Sequence, residues 1–529
     1  MQRVLTGAVP WLLALACGLL QAASLAWPGS GQPLWWLQLL ALAGFARVLD
    51  AAPGWRRAAA LGWLFATAWL AGTFWWLFIS MHTYGGLAAP LAALGVLALA
   101  AFLASYYALA AGAYRALAPA RGAGAALLFA GLWLLAELAR GQWWTGFPWG
   151  AIGYAHVDGP LAELARSVGV YGMGFAAAAL AMALAQLRPP DLRRPCWWVC
   201  VAVLAAAWGG LALQRHCALQ GCGGQRAAQS TAPLSLALLQ GNIPQDEKFQ
   251  PGSGVPLALA WYADQIEAAD AQLVVAPETA VPLLPQQLVP GYLPRLTQRY
   301  REGSQALLLG IPLGSLEEGY TNSALGFAPG RSTPYRYDKH HLVPFGEFIP
   351  PLFKWFTQMM NIPLGDFSRG ALDQPALDWA GQRIAPNICY EDLFGEELAV
   401  RFADAATAPT ILVNLSNIGW FGDSLAIAQH LSISRLRALE FERPMVRATN
   451  TGATAVIDDR GRVTHALAPH VRGVLHAQVV GRGGAVTPYA WWAARAGLAP
   501  LWVLGLGLAA PAWWRRRQRA ARKIAASET

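Results

Sequence analysis

Charge is what this sequence has least of. Only 13% of its 529 residues are Asp, Glu, Lys or Arg, about half the share usual in a soluble globular protein. Lysine is the scarcest: Lys248, Lys339, Lys354 and Lys523 are the only four. No glycine-rich phosphate-binding loop occurs, so a nucleotide-driven machine has no motif to support it. Cysteine is sparse too, with six in all. What replaces the charge is hydrophobic residues (55%) and 25 tryptophans. That is the composition of a membrane protein with a soluble part attached. The formal net charge of +9 invites a nucleic-acid reading, but the position of the charge removes it. Between Arg215 and Val486 there are 21 Lys+Arg against 24 Asp+Glu, a net of −3, whereas the remainder carries 18 against 6, a net of +12. The excess lies in short loops and the tail of the hydrophobic part, where membrane topology is marked. No nucleic acid is expected as a partner.

Apolar runs approaching the ~20 residues needed to cross a bilayer recur near 5–27, 34–46, 58–80, 88–114, 123–139, 167–187 and 196–214, with another near 496–514. They predict a membrane domain with seven helices over 1–214, a soluble domain over 215–488, and an eighth helix with a basic tail over 489–529. Arginine placement predicts the orientation. Arg3, Arg47, Arg56, Arg57, Arg115, Arg121, Arg188, Arg193, Arg194 and the 515–523 cluster fall on one side. The alternate connections "PGSGQP" and "SMHTYGG" carry neither Lys nor Arg. Arg140, Arg166 and Arg495 run against the pattern. The balance puts both termini in the cytoplasm and the 215–488 domain outside it. "LLALACG" around Cys17 loosely resembles a processing site, but the apolar run continues to Trp27, which favours an uncleaved helix. The connection "GQWWTGFPWGAIGYAHVDGP" carries Trp143, Trp144, Phe147, Trp149 and Tyr154, either as an interfacial anchor or as part of a lipid-entry surface. Cys196 and Cys200 lie in an apolar run, like Cys17, and read as packing residues. Cys217 and Cys222, in a polar Gly-rich stretch, could pair in an oxidising compartment.

Within the soluble part, "LSLALLQGN", "AQLVVAPET", "ALLLGIPLG", "APNICY" and "TILVNLSN" read as strands ending in polar residues. "VPLALAWYADQIEAADA" and "LAIAQHLSISRLRALEFE" have helical spacing. Strands alternating with helices predict an α/β domain with its site at the strand ends. Three residues there carry chemistry. Glu278 after "VVAP" is a helix cap or a general base. Lys339 in "YRYDKHHLVPFGEF" is a surface charge or a compact cation for an oxyanion. Cys389 in "ICYEDLF" is a core thiol or, given a base and a cation, an activated nucleophile.

Glu278 in "APE", Lys339 in "YDKHHLVPFGE" and Cys389 in "ICYE", in that order, resemble the Glu-Lys-Cys triad of the nitrilase superfamily. Seven apolar runs before such a domain and one after resemble its membrane family, the apolipoprotein N-acyltransferases. "FPWGAIGYAHVDGP", "QGNIPQDEKF", "YTNSALGF", "NLSNIGWFGDS" and "RALEFERPMVRATNTGATAVID" support the resemblance. It implies a nitrilase-like α-β-β-α sandwich beside a membrane domain of about eight helices, in a bacterial inner membrane with the soluble domain in the periplasm. It also implies a ping-pong acyl transfer through a Cys389 thioester. The donor is a phospholipid, expected to be phosphatidylethanolamine, and the acceptor is a diacylated apolipoprotein; no cofactor and no metal is needed. Glu347 resembles a second family glutamate that orients Lys339 or the amine. Tyr390 and Glu391 are expected to shape the pocket. Asn322, Trp420 and Asp423 are weaker supporting candidates. Phe249 stands where the family often has tryptophan, which keeps an aromatic but loses an indole N–H. The apolar stretch 341–360 is either a loop over the core or a bilayer-dipping arm, with Gly346 as hinge and Pro350 and Pro351 as stiffeners. The competing readings are a membrane-tethered amidase with the same triad and a non-enzymatic lipid transporter or scaffold.

Overall fold

The computed structural model describes residues 7–118, 121–187, 230–315, 319–349 and 366–527, with Gly209 and Glu317. It divides into two compact units. One draws on Met1–Trp75, Ala93–Leu219 and Ala496–Thr529, the other on Trp76–Ala92 and Gln220–Arg495.

The first unit is helical: Val9–Leu25, Trp35–Ala51, Trp55–Thr73, Ala89–Leu117, Ala123–Gln142, Ala165–Gln186 and Ala499–Ser527. Each overlaps a predicted run, but the run near 58–80 is broken, its helix ending at Thr73; the run at 196–214, and Cys196, Cys200, Cys217 and Cys222, lie outside the described residues. Among the described residues three helical stretches are long and apolar enough to cross a membrane, Ala89–Leu117, Ala123–Thr145 and Pro160–Gln186, and the number rises to five if two broken helix pairs each count as one span. The Val9–Leu25 helix is apolar but has only 17 residues. With little hydrophobic drive between helices in lipid, close packing must hold them. A Cβ on Gly18 would lie 2.3 Å from the Phe65 carbonyl, so only glycine lets those two helices meet there. Phe45 and Phe65 stack at 4.0 Å, and Trp69 and Trp133 at 5.7 Å.

Two sequence expectations are corrected in this unit. Arg140 is not in a connection: it sits inside the Ala123–Gln142 helix, fully buried. Its guanidinium donates to the Phe147 and Trp149 carbonyls at 2.6 and 2.7 Å and to the Tyr107 hydroxyl at 2.9 Å. Glu137, on the same helix, accepts from the Ile152 N–H at 2.9 Å. The two charges fold the aromatic connection inward instead of marking topology. Accordingly Trp149 and Tyr154 are buried, while Trp143 and Trp144 are exposed.

The second unit is a four-layer sandwich. One six-stranded sheet has the order β12-β1-β2-β3-β4-β5, the other β11-β10-β9-β8-β7-β6. The first comprises β1 (Ser230–Gln240), β2 (Leu273–Ala276), β3 (Ala306–Ser315), β4 (Gly319–Phe327), β5 (Tyr335–Asp338) and β12 (Gly473–Arg482). The second comprises β6 (Leu377–Trp379), β7 (Gln382–Ile388), β8 (Ile411–Ser416), β9 (Met445–Thr449), β10 (Ala455–Ile457) and β11 (Val463–Ala466). β1, β2 and β3 run parallel, as do β7, β8 and β9.

Two-residue periodicity separates the layers. Leu234, Leu236 and Leu238 of β1 share the core between the sheets with Ile411, Val413 and Leu415 of β8 and Val446 and Ala448 of β9. Ala237 and Leu239 face outward onto the helices Gly254–Ala268 and Tyr292–Glu302. On the other side, Leu412 and Met445 pack on the helices Ala426–Phe441 and Pro488–Ala496. Each fully buried leucine contributes about 1.5–3 kcal/mol.

The segment Trp76–Ala92, far earlier in the chain, also packs here. The Trp76 indole N–H donates to Gln429 Oε1 at 3.0 Å, and its ring meets Phe421 at 4.2 Å.

Candidate active site

The parallel strands end at one rim, and the polar residues that follow them converge there. Glu278 comes two residues after β2. Lys339 follows β5, Cys389 follows β7, and Asn417 follows β8. Glycine lets the rim close. A Cβ on Gly310 of β3 would fall 2.1 Å from the Pro277 carbonyl and 2.8 Å from the Glu278 Cα.

The charged cluster is almost dry. Lys339 is fully buried, and Glu278 and Glu347 are nearly so. Lys339 Nζ lies 3.2 Å from Glu278 Oε1 and 2.8 Å from Glu347 Oε1. Burial alone would lower the lysine's pKa, but the two carboxylates outweigh it and hold it above its ordinary value. Asn322 Nδ2 donates to the same two oxygens, at 2.7 Å each. The Asn417 N–H donates to Glu278 Oε2 at 2.8 Å. The Val343 N–H donates to Glu347 Oε2 at 2.8 Å. Gly346 lies in the tight turn that returns Glu347 to this position, with its N–H on the Val343 carbonyl at 3.2 Å. Pro350, Pro351 and the rest of the stretch to 360 lie outside the described residues.

Cys389 begins a 3-10 turn with φ +53°. A left-handed, non-glycine residue of this kind costs about 1–3 kcal/mol and persists only where its surroundings impose it. Burial pushes the thiol up to about 12; Glu278 and Glu347 add to the rise and Lys339 opposes it. The resting thiol is therefore protonated and needs a base when it reacts.

Glu391 ties the cysteine turn to the lysine loop. One carboxylate oxygen accepts from the His340 and His341 N–H groups at 2.6 and 3.2 Å. The other accepts from the Ile388 N–H at 2.6 Å and the Tyr337 hydroxyl at 2.9 Å. Tyr390 is buried against His341 and Phe394, with ring centroids 5.7 and 5.3 Å away. Trp420 is set apart in an aromatic group, 6.4 Å from Phe249 and 6.0 Å from Tyr84. Phe249 stacks nearly parallel to it, at 20°. Asp423 is placed on the surface: its side chain is 90% exposed and faces His470 at 3.6 Å.

The sequence reading missed Lys248. It is fully buried, and its Nζ donates to the Glu278 carbonyl at 3.1 Å. Burial pulls it down to about 7, against the pull of Glu278 and Cys389. The signal was available, because one of only four lysines falls in the quoted stretch "QGNIPQDEKF". Among the described residues no group of three His, Cys, Asp or Glu is arranged to hold a metal ion.

Two family models match the chain. That of the apolipoprotein N-acyltransferase N-terminal domain covers residues 17–183, and that of the carbon-nitrogen hydrolases covers 235–486. An apolipoprotein N-acyltransferase of Verminephrobacter eiseniae is 64% identical over 501 residues, 93% of each chain. The chain belongs to the apolipoprotein N-acyltransferase family. Another apolipoprotein N-acyltransferase, from Ralstonia nicotianae, is 47% identical over 92% of this chain and 90% of its own. Among solved structures, the carbon-nitrogen hydrolase of Helicobacter pylori G27 is 16% identical with a TM-score of 0.34, covering 47% of this chain and 89% of that one. Membership makes the chain an acyltransferase of the nitrilase superfamily with a role in lipoprotein N-acylation. Its apolar helices fit a membrane protein.

Proposed function

We propose that this chain moves an acyl group from a phospholipid to the N-terminal amine of a diacylglyceryl-cysteine lipoprotein, through a thioester on Cys389. The observation that carries the reading is the dry Glu278–Lys339–Glu347 cluster, whose charges act on a thiol held in a left-handed turn.

Glu278 takes the Cys389 proton as the sulfur attacks the ester carbonyl. Lys339 and the backbone N–H of the cysteine turn stabilise the oxyanion. The C–O bond breaks, and Glu278 returns the proton to the leaving lysophospholipid oxygen. A neutral thioester remains. The acceptor amine then attacks the thioester carbonyl, and its proton passes by way of Glu278 to the departing sulfur. An amide forms and the thiol is regenerated. The two half-reactions are separated by a covalent intermediate, so the kinetics are ping-pong. Glu347 and Asn322 keep the lysine and base in register, and Glu391 and Tyr390 fix the turn. Phosphatidylethanolamine is the donor we expect. The arginine distribution supports cytoplasmic termini and a catalytic unit on the periplasmic side of the inner membrane, all the more since Arg140 is an internal residue.

The test uses purified protein, phospholipid labelled in its acyl chain, and no acceptor. Wild type should gain hydroxylamine-labile label that Cys389→Ala lacks, and a diacylated lipopeptide should discharge it. Discharge by water at the same rate would make the chain a hydrolase. No label on a folded wild type would remove Cys389 from the chemistry.

A further inference from the structure

The nucleophile's strained backbone has a support that the proposed chemistry does not use. Behind Cys389, the helix Ala426–Phe441 and β9 place four polar side chains in the interior: His430, Ser434, Arg447 and, from the cysteine turn itself, Asp392. All are within 4% of full burial. Arg447 Nη1 lies 3.2 Å from Asp392 Oδ2, and Ser434 bonds to both. Arg447 Nη2 lies 3.0 Å from His430 Nδ1. Arginine carries only donors, so Nδ1 must accept and Nε2 carries the ring proton. That Nε2–H faces Asp392 Oδ1 at 2.9 Å and the Cys389 carbonyl at 3.2 Å. Asn414 Nδ2, on β8, donates to the same carbonyl at 3.2 Å.

A peptide unit is planar, and in a trans peptide the C=O and the next N–H point in opposite directions. Gripping the Cys389 carbonyl from behind therefore aims the Tyr390 N–H toward the front. We propose that His430, its tautomer set by Arg447 and its ring held by Asp392, is a positioning residue for acyl transfer: with Asn414 it fixes the Cys389–Tyr390 peptide, and so the orientation in which the thioester carbonyl meets its oxyanion donors. The proposal rests on Cys389 being the acylated nucleophile. Buried networks of this kind are rigid when every member is satisfied, which suits a part that must not move.

The test compares wild type, His430→Leu and His430→Gln. The glutamine keeps an amide donor near the position of Nε2. Turnover with labelled phospholipid and a diacylated lipopeptide gives kcat and KM, and isotope-edited infrared spectra of the 13C=O acyl-enzyme formed without acceptor give the carbonyl frequency. Misaiming a donor should cost less than deleting one, so His430→Leu should lower kcat by roughly 10- to 100-fold with KM almost unchanged. Its carbonyl band should rise toward that of the denatured acyl-enzyme. His430→Gln should recover much of both. If His430→Leu does not fold, Asn414→Ala removes the other donor and should move the band the same way. An unmoved band in folded variants, with kcat within about twofold of wild type, would overturn the proposal. So would a kcat loss that glutamine does not recover while the band stays fixed. Wild type that never acquires label fails at the earlier step and tells against Cys389 itself.

Discussion

Glu347→Gln is the substitution whose consequences the geometry fixes most tightly. Three donors meet this carboxylate: Asn322 Nδ2 and Lys339 Nζ on one oxygen, the Val343 N–H on the other. Glutamine has one acceptor oxygen and a donor in place of the second. If its amide group faced Lys339 and Asn322, it would set a donor against an ammonium and another amide. The oxygen therefore stays there, and the new NH2 faces the Val343 N–H. One buried donor is orphaned, at about 1–3 kcal/mol. Lys339 keeps Glu278 and stays charged. The cluster of two carboxylates and one ammonium goes from −1 to neutral. Glu347 is one of the groups that raises the Cys389 pKa, so its loss must lower it.

The assay is iodoacetamide alkylation across pH 7–11, followed by mass spectrometry of the Cys389 peptide, which separates it from the other five cysteines. In wild type, whose thiol is pushed up to about 12, the rate should climb about tenfold per pH unit with no plateau below pH 11. The variant should alkylate faster at every pH below its pKa, by roughly threefold for each unit of pKa lost, because the larger thiolate fraction is partly offset by a weaker nucleophile. Acyl transfer should nevertheless fall, because a neutral amide oxygen holds the lysine less firmly than the carboxylate it replaces. A folded variant that alkylates no faster than wild type would refute the electrostatic account of this cluster.

Other substitutions test separate parts. Gly310→Ala drives a methyl group into the Pro277 carbonyl and should destabilise the protein by about 1–3 kcal/mol, read as a lower Tm, together with loss of thioester labelling. Glu391→Gln leaves four donors on one oxygen and an amide; the Tm should drop, and labelling should fall even at temperatures where the protein is folded. Lys248→Met keeps the stem and removes the grip on the Glu278 carbonyl. Because the folded pKa of Lys248 is pulled down to about 7, the unfolded chain binds the extra proton between there and its ordinary value. Its burial penalty is therefore full below about pH 7 and fades as pH rises. Lys248→Met should accordingly gain more Tm at pH 6 than at pH 10; the opposite trend would refute the assignment.

The charged rim was legible as a place because its residues end strands, and strands announce themselves by apolar runs. "VVAP" before Glu278 and "APNI" before Cys389 mark strand ends directly. Glu347 and Asn322 were readable only through family resemblance, since a turn and a mid-strand amide carry no local signal. His430, Asp392 and Arg447 were invisible for another reason. "AIAQHLSISRLRALEF" shows helical spacing and polar residues, yet His430, Ser434 and Arg437 are buried. Polar residues that satisfy one another inside a fold leave the same pattern as polar residues facing water. The broken helix after Thr73 escaped hydropathy for a similar reason: Trp75 and Trp76 are both apolar, but 43% and 1% exposed respectively. Asp423, chosen for its neighbours in "WFGDS", is on the surface.

The Trp76–Ala92 segment constrains how the two-sheet unit is made. Trp76 is synthesised 353 residues before its partner Gln429. The ribosome thus delivers one part of the two-sheet unit long before the sheets it packs with exist. A fragment beginning at residue 220 would contain both sheets and the whole charged cluster, yet it would expose Phe421 and leave Gln429 without this donor. Genetic dissection at the apparent boundary between membrane and soluble parts would cut one cooperative unit in two. A split version should regain its fold only when a peptide carrying residues 76–92 is returned to it.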